Sequence, residues 1–215
     1  MRKFLLNNKE TYTTKDFITE IVLEVVALLL IIFLFFTSTF WISTVRVKQT
    51  SMTNTLYDGD ILVLDKLASV EAGDIIVFKQ NENEDYIKRV IAVEGDVVYS
   101  IDGEVYVDRV VNGELKTINL VENYIKNAAE GTYLSYYDKV DIPKLTVGKG
   151  QYFVLGDNRE NSTDSRTYFN SDGTINLKTN DLKYVGLVKE SQIIGVVHEF
   201  WVKHKDITSK IFAKK

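Results

Sequence analysis

Cysteine is missing from this sequence of 215 residues, and histidine occurs only as His198 and His204. Without cysteine the chain can form no disulfide bond, thiolate nucleophile or zinc site built on thiolates. The two histidines form no His-x-x-x-His pattern, so we predict neither a metal nor a cofactor. A Ser/His/Asp triad would need His198, which lies in the apolar run VVHEFWV and is more typical of a half-buried strand residue.

An excess of basic residues is also missing. The sequence has 26 Lys and Arg against 30 Asp and Glu, a net charge of −4. It contains no basic stripe of the kind that binds phosphate backbones, so we predict no nucleic-acid partner. With 45% hydrophobic and 26% charged residues, the chain is long and apolar enough to bury a core.

One long apolar run is the first feature that the sequence does contain. Residues 25–42 read VVALLLIIFLFFTSTFWI without a charge, and the run continues to residue 45, ahead of Arg46. As a helix it would span roughly 27 to 31 Å, the thickness of a bilayer core. Phe40 and Trp41 at its far end resemble an interfacial anchor, not a small-x-small cleavage site of a signal peptide. We predict a retained transmembrane anchor over residues 25–45.

The anchor divides the chain into an N-terminal segment, residues 1–24, and a larger domain, residues 46–215. The basic residues on the N-terminal side are Arg2, Lys3, Lys9 and Lys15, whereas only Arg46 and Lys48 follow closely on the other side. Positively charged flanks tend to stay in the cytoplasm. We therefore predict a single-pass protein of the cell membrane, with a cytoplasmic N-terminus, an extracytoplasmic domain and the lipid bilayer as a partner.

Beyond the anchor the pattern changes to short apolar runs rich in Val, Ile, Tyr and Phe. Asp-Gly, Glu-Gly and Asn-Gly turn sequences separate these runs, which predicts a mainly β domain. Residues 100–150 are less regular: IDGEVYVDRVVNGELK is typical of paired hairpins, and VENYIKNAAEGTYLSYYDK of a polar insertion with weak helical character. The basic C-terminal segment KHKDITSKIFAKK is expected to lie on the surface.

Without cysteine and with little histidine, a serine nucleophile would need another base. A lysine can serve if burial keeps its amine uncharged near neutral pH. Ser51 lies in the polar stretch VKQTSMTNTLYDGD just after the anchor, and Lys88 lies in the strand-like stretch EDYIKRVIAVEGD. Strand alternation places Lys88 and Arg89 on opposite faces. From the pattern alone, a solvated outer face is the alternative for Lys88.

A third stretch, GDNRENSTDSR at residues 156–166, follows the apolar run YFVL. Such a sequence is commonly a solvated loop with Asx-type turns. Alternatively, two aspartates and two arginines could form a fixed network of ion pairs that supports a catalytic group. The four residues are Asp157, Arg159, Asp164 and Arg166.

The order of these motifs resembles the bacterial type I signal peptidases, membrane-bound serine endopeptidases with a Ser-Lys dyad. The series consists of the anchor, SMTNTLYDGD, GDIIVF, YIKRVIAVEGD and GDNRENSTDSR. By this resemblance Ser51 matches the nucleophile and Lys88 the general base. It implies a strongly bent β domain of the signal peptidase class at the outer membrane surface.

The resemblance also assigns supporting roles. Ser162 matches the hydroxyl that orients the lysine amine, Asp164 and Arg166 match a supporting ion pair, and Met52 matches a residue that lines the site. The implied substrates are the signal peptides of secreted preproteins with Ala-x-Ala-like cleavage sites.

Two alternatives stay open at this point. The first is a pilus-associated relative, which would process only pilin precursors or act as a weakly active assembly chaperone; the retained Ser51 and Lys88 argue against an inactive chain. The second is a self-cleaving Ser-Lys repressor of a related fold, which would lack the membrane span.

Three positions depart from the family pattern. Asn54 and Glu94 stand where the family usually has proline, and Gln49 stands where it has Gly or Ser. Losing a well-placed proline costs about 0.4 to 1 kcal/mol of local order, so we expect a looser nucleophile loop. We expect the Ser51 backbone N–H to hold the oxyanion, and whether Gln49 or Thr50 adds a second donor stays open.

Overall fold

The structure is a computed structural model. It describes residues 14–120, 141–170, 173–176 and 184–198, with the backbone alone at residues 37–40. The chain separates into two compact units, Met1–Trp41 and Ile42–Lys215, which are treated one at a time below. The predicted polar insertion, the C-terminal basic segment and His204 lie outside the described residues.

In its described residues the first unit contains one helix, α1, which runs from Thr14 to Trp41. Within it, Thr14–Phe36 has a mean hydropathy of 2.7 and no buried residue, so its length and composition fit a single-pass membrane anchor. The helix begins earlier than the anchor predicted over residues 25–45. It also ends earlier, because the β-branched stretch that starts at Ile42 pairs as a strand instead.

The second unit is built from eleven short strands in the described residues. Their bounds are β1 Ile42–Arg46, β2 Ile61–Asp65, β3 Ile75–Lys79, β4 Asp85–Ala92, β5 Val97–Ile101, β6 Glu104–Val111, β7 Glu114–Asn119, β8 Leu145–Thr146, β9 Gln151–Leu155, β10 Val188–Lys189 and β11 Ile193–Val197. They form a seven-stranded sheet in the order β1-β2-β11-β3-β4-β9-β10 and a four-stranded sheet in the order β7-β6-β5-β8. The prediction of a mainly β domain is confirmed.

Hairpins of the smaller sheet form at the two Gly-containing turns that the sequence offers. Asp102-Gly103 joins β5 to β6, and Asn112-Gly113 joins β6 to β7. All four residues have positive φ, between 51° and 83°, as the two-residue turns of tight hairpins require. The predicted hairpin pair in this part of the chain is therefore confirmed.

Alternating apolar residues bury the faces of the larger sheet. On one side Leu62 and Leu64 of β2 pack with Val77 of β3 in a cluster that also contains Met52 and Leu56. A second cluster lies around Ile76, Phe78, Val90 and Val154. These contacts fix the segment after β1 against the sheet, so the stretch that carries Ser51 has a rigid base.

Strand β4 has two halves with different neighbours. Residues 85–89 pair with β3, whereas pairing with β9 includes only Arg89, Val90 and Ala92. Within the described residues, the first half of β4 up to Lys88 is therefore paired on one side only. Its other edge offers unpaired backbone groups beside Lys88.

Candidate active site

The segment that contains Ser51 is a compact turn held down by two apolar side chains. Thr55 N and Leu56 N donate to Met52 O at 3.0 and 2.8 Å, and Met52 and Leu56 are 2% and 1% exposed. With these two side chains in the core, the turn presents Ser51, which is half-buried, at its surface.

Lys88 meets Ser51 across 37 residues of sequence. Lys88 Nζ donates to Ser51 Oγ at 2.8 Å and to Ile87 O at 3.0 Å. Its side chain lies over the Tyr86 ring, and only 4% of the residue is exposed. A solvated position for Lys88 is therefore wrong, because the residue is enclosed between β4 and the Ser51 turn.

Burial lowers the pKa of the Lys88 amine from its ordinary value of 10.5 to about 8. Removing an ammonium group from water disfavours its charged form. The Asp164 carboxylate acts in the opposite direction and raises the pKa, while the Arg166 guanidinium lowers it. Because the effects of Asp164 and Arg166 on the pKa oppose each other, desolvation is the main cause of the lowered value. A neutral amine is therefore accessible near pH 8.

Asp164 and Arg166 form a buried ion pair, and their supporting role stays a prediction. Arg166 Nε and Nη2 each donate to the Asp164 carboxylate at 2.8 Å, and Gly156 N donates to the same carboxylate at 3.1 Å. Burial is the largest single influence and would raise the pKa of Asp164, but the Arg166 charge and the hydrogen bonds to the carboxylate together outweigh it, so the net pKa is lowered. Asp164 is thus an ionised, fully buried partner of Arg166.

Asp157 pairs with an arginine that lies outside the four-residue network suggested by the sequence. Arg89 of β4 donates to the Asp157 carboxylate from Nε at 2.9 Å and from Nη2 at 2.8 Å, and Thr55 Oγ1 donates to the same group. Arg159 instead donates from Nε to Gly156 O at 3.1 Å. Asp157 therefore links β4 to the end of the Ser51 turn.

Sequence reasoning missed Arg89 and Thr55 as members of this network. One signal was present: an arginine inside an otherwise apolar strand, on the face opposite Lys88, requires a buried acidic partner. The identity of that partner depended on long-range packing, because Asp157 is 68 residues away along the chain.

We predict that Arg89→Met lowers the free energy of unfolding by about 3 to 5 kcal/mol, since it leaves the Asp157 carboxylate buried without its charge partner. Chemical denaturation of the full chain in detergent micelles measures this. Lys144→Met is the matched control: Lys144 pairs with Asp108 at 3.5 Å, but its side chain is 66% exposed. The control should cost less than about 1 kcal/mol, and equal costs for the two variants would contradict the prediction.

The 156–161 loop also holds the Ser51 turn from the other side. Asn158 N donates to Ser51 O at 3.0 Å, and Asn158 Nδ2 donates to Thr50 O at 3.0 Å. A Cβ on Gly156 would lie 2.6 Å from Ser51 O and would collide with the Ser162 side chain. Glycine is needed at position 156 because these backbones approach so closely.

Ser162 is buried at this contact, with 3% of its surface exposed. Its hydroxyl makes no hydrogen bond of ordinary geometry within the described residues, although it is close enough to Asp164 to help lower the pKa of that carboxyl. A bond from Ser162 to the Lys88 amine is not among the contacts of Lys88, so its orienting role stays a prediction.

Asn54, one of the departures from the family pattern, has a φ of 92°. Proline fixes φ near −65° and could not occupy this position without changing the turn. The expectation that the missing proline loosens this loop is therefore wrong for this backbone, because the turn follows a path that proline does not allow.

Substitution at Asn54 tests this interpretation. Asn54→Gly is expected to leave the free energy of unfolding within about 0.5 kcal/mol, whereas Asn54→Pro is expected to lower it by more than about 1 kcal/mol. Thermal melting of both variants beside the wild-type chain measures the difference. A proline variant as stable as the glycine variant would show that the turn adopts a negative φ.

Glu94, the other replaced proline position, occupies a turn that closes with Asp96 N donating to Val93 O at 3.0 Å. Gly95 has a φ of 88°, as the third residue of a type II turn requires. The Glu94 carboxylate accepts a hydrogen bond from Gly150 N at 3.2 Å. Glu94 thus provides a contact that proline would lack.

A cleft of about 450 Å³ opens beside Ser51 and Lys88. Residues 45–49, 83–88 and 161–163 line it. Met52 lines it as well, whereas Asp164 and Arg166 do not. His198, which follows β11 and is exposed, is not part of the lining either.

The chain is similar to known proteins. The family "Signal peptidase, peptidase S26" matches residues 18–202. Signal peptidase IB of Staphylococcus aureus is 34% identical over 181 residues, which cover 79% of this chain and 83% of that protein. Signal peptidase I of Pseudomonas aeruginosa is 30% identical over 197 residues, which cover 78% of this chain and 67% of that protein.

A solved structure of a signal peptidase I from Enterococcus faecalis V583 has 26% sequence identity and a TM-score of 0.39, covering 61% of this chain and 98% of that chain. The family match spans most of the sequence, from α1 to beyond β11. The predicted class of enzyme, a serine peptidase of the signal peptidase type, is confirmed by these relatives. The chain therefore belongs to the signal peptidase family, peptidase S26.

Proposed function

We propose that this chain removes signal peptides from secreted preproteins with Ser51 as nucleophile and Lys88 as general base. The observation that supports this most directly is the 2.8 Å hydrogen bond between Lys88 Nζ and Ser51 Oγ. It joins a buried lysine of lowered pKa to a half-buried hydroxyl that faces a cleft. This is the geometry expected of a serine activated by an adjacent base.

In the first half of the reaction, neutral Lys88 takes the proton of Ser51 Oγ as the oxygen attacks the carbonyl carbon of the scissile bond. The resulting tetrahedral oxyanion accepts a hydrogen bond from the Ser51 backbone N–H. A donor of this kind is worth roughly 3 to 4 kcal/mol of transition-state stabilisation. When the intermediate collapses, the Lys88 ammonium gives its proton to the leaving amine and the signal peptide stays bound as an ester of Ser51.

In the second half, neutral Lys88 takes a proton from a water molecule as the water attacks the ester carbonyl. Collapse of the second tetrahedral intermediate returns a proton to Ser51 Oγ and releases the signal peptide with a free carboxylate. The Asp164 carboxylate is paired with Arg166, so it does not form an ion pair with the Lys88 amine.

An extended substrate would bind along the open edge of β4. Residues 85–88, which end at Lys88, line the cleft and pair only with β3 among the described residues. A peptide added there as a strand would place alternate side chains into the wall of the cleft. Small residues at the minus-three and minus-one positions, as in an Ala-x-Ala site, suit such close approach.

We also propose that α1 spans the cell membrane with its N-terminus in the cytoplasm, so that the β domain works at the outer face. The apolar composition of α1 and the basic residues ahead of it support this orientation. A preprotein whose signal peptide is inserted in the bilayer would then present its scissile bond on the same side of the membrane as the β domain.

Cleavage of purified preproteins tests the proposed function. The full chain in detergent micelles is incubated with a secreted preprotein and, separately, with a pilin precursor, and products are identified by mass. We expect cleavage of the secreted preprotein after an Ala-x-Ala-like site. Cleavage of the pilin precursor alone would favour a dedicated pilus role. If neither precursor loses its signal peptide, the proposal is contradicted.

A further inference from the structure

Strand β7, Glu114–Asn119, is an edge strand of the four-stranded sheet. It pairs with β6 along its whole length, and its other edge has no partner within the described residues. All of its residues except the half-buried Ile118 are exposed. A long, exposed edge of this kind is a template on which another strand can pair.

The backbone groups on the free edge of β7 belong to its odd-numbered residues. Leu120 N, one residue beyond the strand, donates to Val105 O of β6 at 3.0 Å. Hydrogen-bonded positions alternate along an antiparallel strand, so the even-numbered residues of β7 bond to β6. Leu115 and Thr117 therefore direct their N–H and C=O groups outward, where a second strand could bind them.

Leu115 also carries an exposed apolar patch to this edge. Its side chain is 70% exposed, and its register partner Val110 on β6 is 64% exposed. The two side chains lie on one face of the hairpin at directly opposed positions, within contact distance of each other. Covering such a pair removes apolar surface from water, which favours association.

Glu114 and Lys116 flank Leu115 and point to the other face of the strand. Neither side chain makes an ion pair within the described residues. Lys116 lies opposite Arg109 of β6, and Arg109 is already paired with Asp96. Lys116 thus faces a like charge across the hairpin and lacks an acidic partner.

A second β7 strand would supply that partner. If two β7 strands pair antiparallel about a twofold axis at Leu115, each Glu114 lies opposite the partner's Lys116. Opposite charges at facing positions stabilise a strand pair, whereas like charges destabilise it. A twofold axis at position 114 or 116 would instead set two glutamates or two lysines opposite each other, so the charges select the axis at Leu115.

We infer that two copies of this chain pair through the free edges of β7, with Leu115 on the twofold axis. The interface is isologous, because both copies use the same surface. One strand edge buries less than the roughly 1,000 Å² typical of stable interfaces, so the contact is expected to be reversible. Helix α1, which fits a membrane anchor, would raise the effective concentration of the two copies by confining them to one bilayer.

Disulfide trapping tests this pairing, because the chain has no cysteine and an introduced one is its only thiol. Leu115→Cys, Thr117→Cys and Leu67→Cys are reconstituted as full chains in lipid vesicles and oxidised, and the dimer is followed on non-reducing gels. Leu67 is the matched control, since it is 66% exposed but lies between β2 and β3. We expect Leu115→Cys to cross-link at least about tenfold faster than the other two. Position 117 is on the same edge but would lie about 14 Å from its counterpart, beyond the reach of a disulfide.

Charge reversal in the Leu115→Cys chain tests the register. Glu114→Lys or Lys116→Glu alone should slow cross-linking by roughly fivefold, because each sets like charges opposite each other. The two substitutions together should restore the rate, which loss of folding could not do. A combined variant as slow as the single ones would overturn the inference.

Equal rates for Leu115→Cys and Leu67→Cys would also overturn it. That is the result expected if residues 121–140 of the same chain, which follow β7 in the sequence, cover its edge in place of a second copy. Cross-linking needs no preprotein, so this inference can fail while the proposed function stands.

Discussion

Lys88→Met is expected to abolish preprotein processing and to leave the chain folded. Lys88 Nζ is the only group within the described residues that bonds to Ser51 Oγ, so its removal leaves the proposed nucleophile without a base. Losing one member of such a catalytic pair typically lowers kcat by roughly 10⁴-fold or more. Methionine has a similar length and can fill the buried space without a charge.

The rate of release of the mature protein, followed by gel shift, measures this effect. Lys79→Met is the matched control, because Lys79 ends the neighbouring strand β3 with an exposed side chain; it should process at the wild-type rate. Ser51→Ala is expected to be as inactive as Lys88→Met. Undiminished processing by either dyad variant would contradict the assignment of Ser51 and Lys88.

The second large effect concerns pH. Only the neutral amine of Lys88 can accept the Ser51 proton, and burial lowers its pKa to about 8. We therefore expect kcat/KM to rise about tenfold per pH unit on the acidic side and to level off above a midpoint near pH 8. A pH profile of processing between pH 5 and about 10 measures the midpoint. A profile that is flat across this range would contradict Lys88 as the general base.

The same lowered pKa means that Lys88 reduces the stability of the folded chain at neutral pH. In the unfolded chain Lys88 would titrate near its ordinary value of 10.5, whereas in the folded chain it titrates near 8. Between these values the unfolded chain binds more protons, so this residue makes the free energy of unfolding rise with pH from about 8 to 10.5. Below pH 8 Lys88 is charged in both states, and the full cost of burying its charge in the folded chain is present.

Lys88→Met should therefore raise the free energy of unfolding at pH 7 by up to about 3 kcal/mol, and the gain should shrink as the pH approaches 10.5. Denaturant titrations of both chains in micelles at pH 7 and at high pH measure the change. Lys79→Met should show no such pH-dependent gain. A Lys88→Met chain that is less stable than wild type at pH 7 would contradict the desolvation argument.

In the proposed mechanism, Lys88 lowers stability for the sake of reactivity. A lysine with its ordinary pKa would be fully charged at neutral pH and unable to accept a proton from serine. The surrounding structure compensates elsewhere: the clusters around Met52, Leu56 and β2 fix the Ser51 turn, and the pair of Arg89 and Asp157 ties that turn to β4. Destabilised groups at active sites commonly persist by such means.

The sequence by itself determined the local features of this protein. An uncharged apolar run specifies a membrane-length helix because each residue is apolar regardless of its neighbours in space. Alternating strands separated by Gly-containing turns specify a mainly β domain, since side-chain periodicity and turn chemistry are local. Because cysteine is missing and histidine is scarce, lysine was the main candidate for the base that activates a serine nucleophile. The order of the motifs indicated the signal peptidase family.

Tertiary structure alone decided the properties that depend on distant partners. Whether Lys88 is solvated or buried depends on the Ser51 turn that covers it, and the pairing of Asp157 with Arg89 depends on the packing of β4. The positive φ of Gln49 and Asn54 likewise follows from how the turn is fixed to Asp58 and to the core. Desolvation, long-range ion pairs and constrained backbone angles arise only when segments far apart in sequence meet.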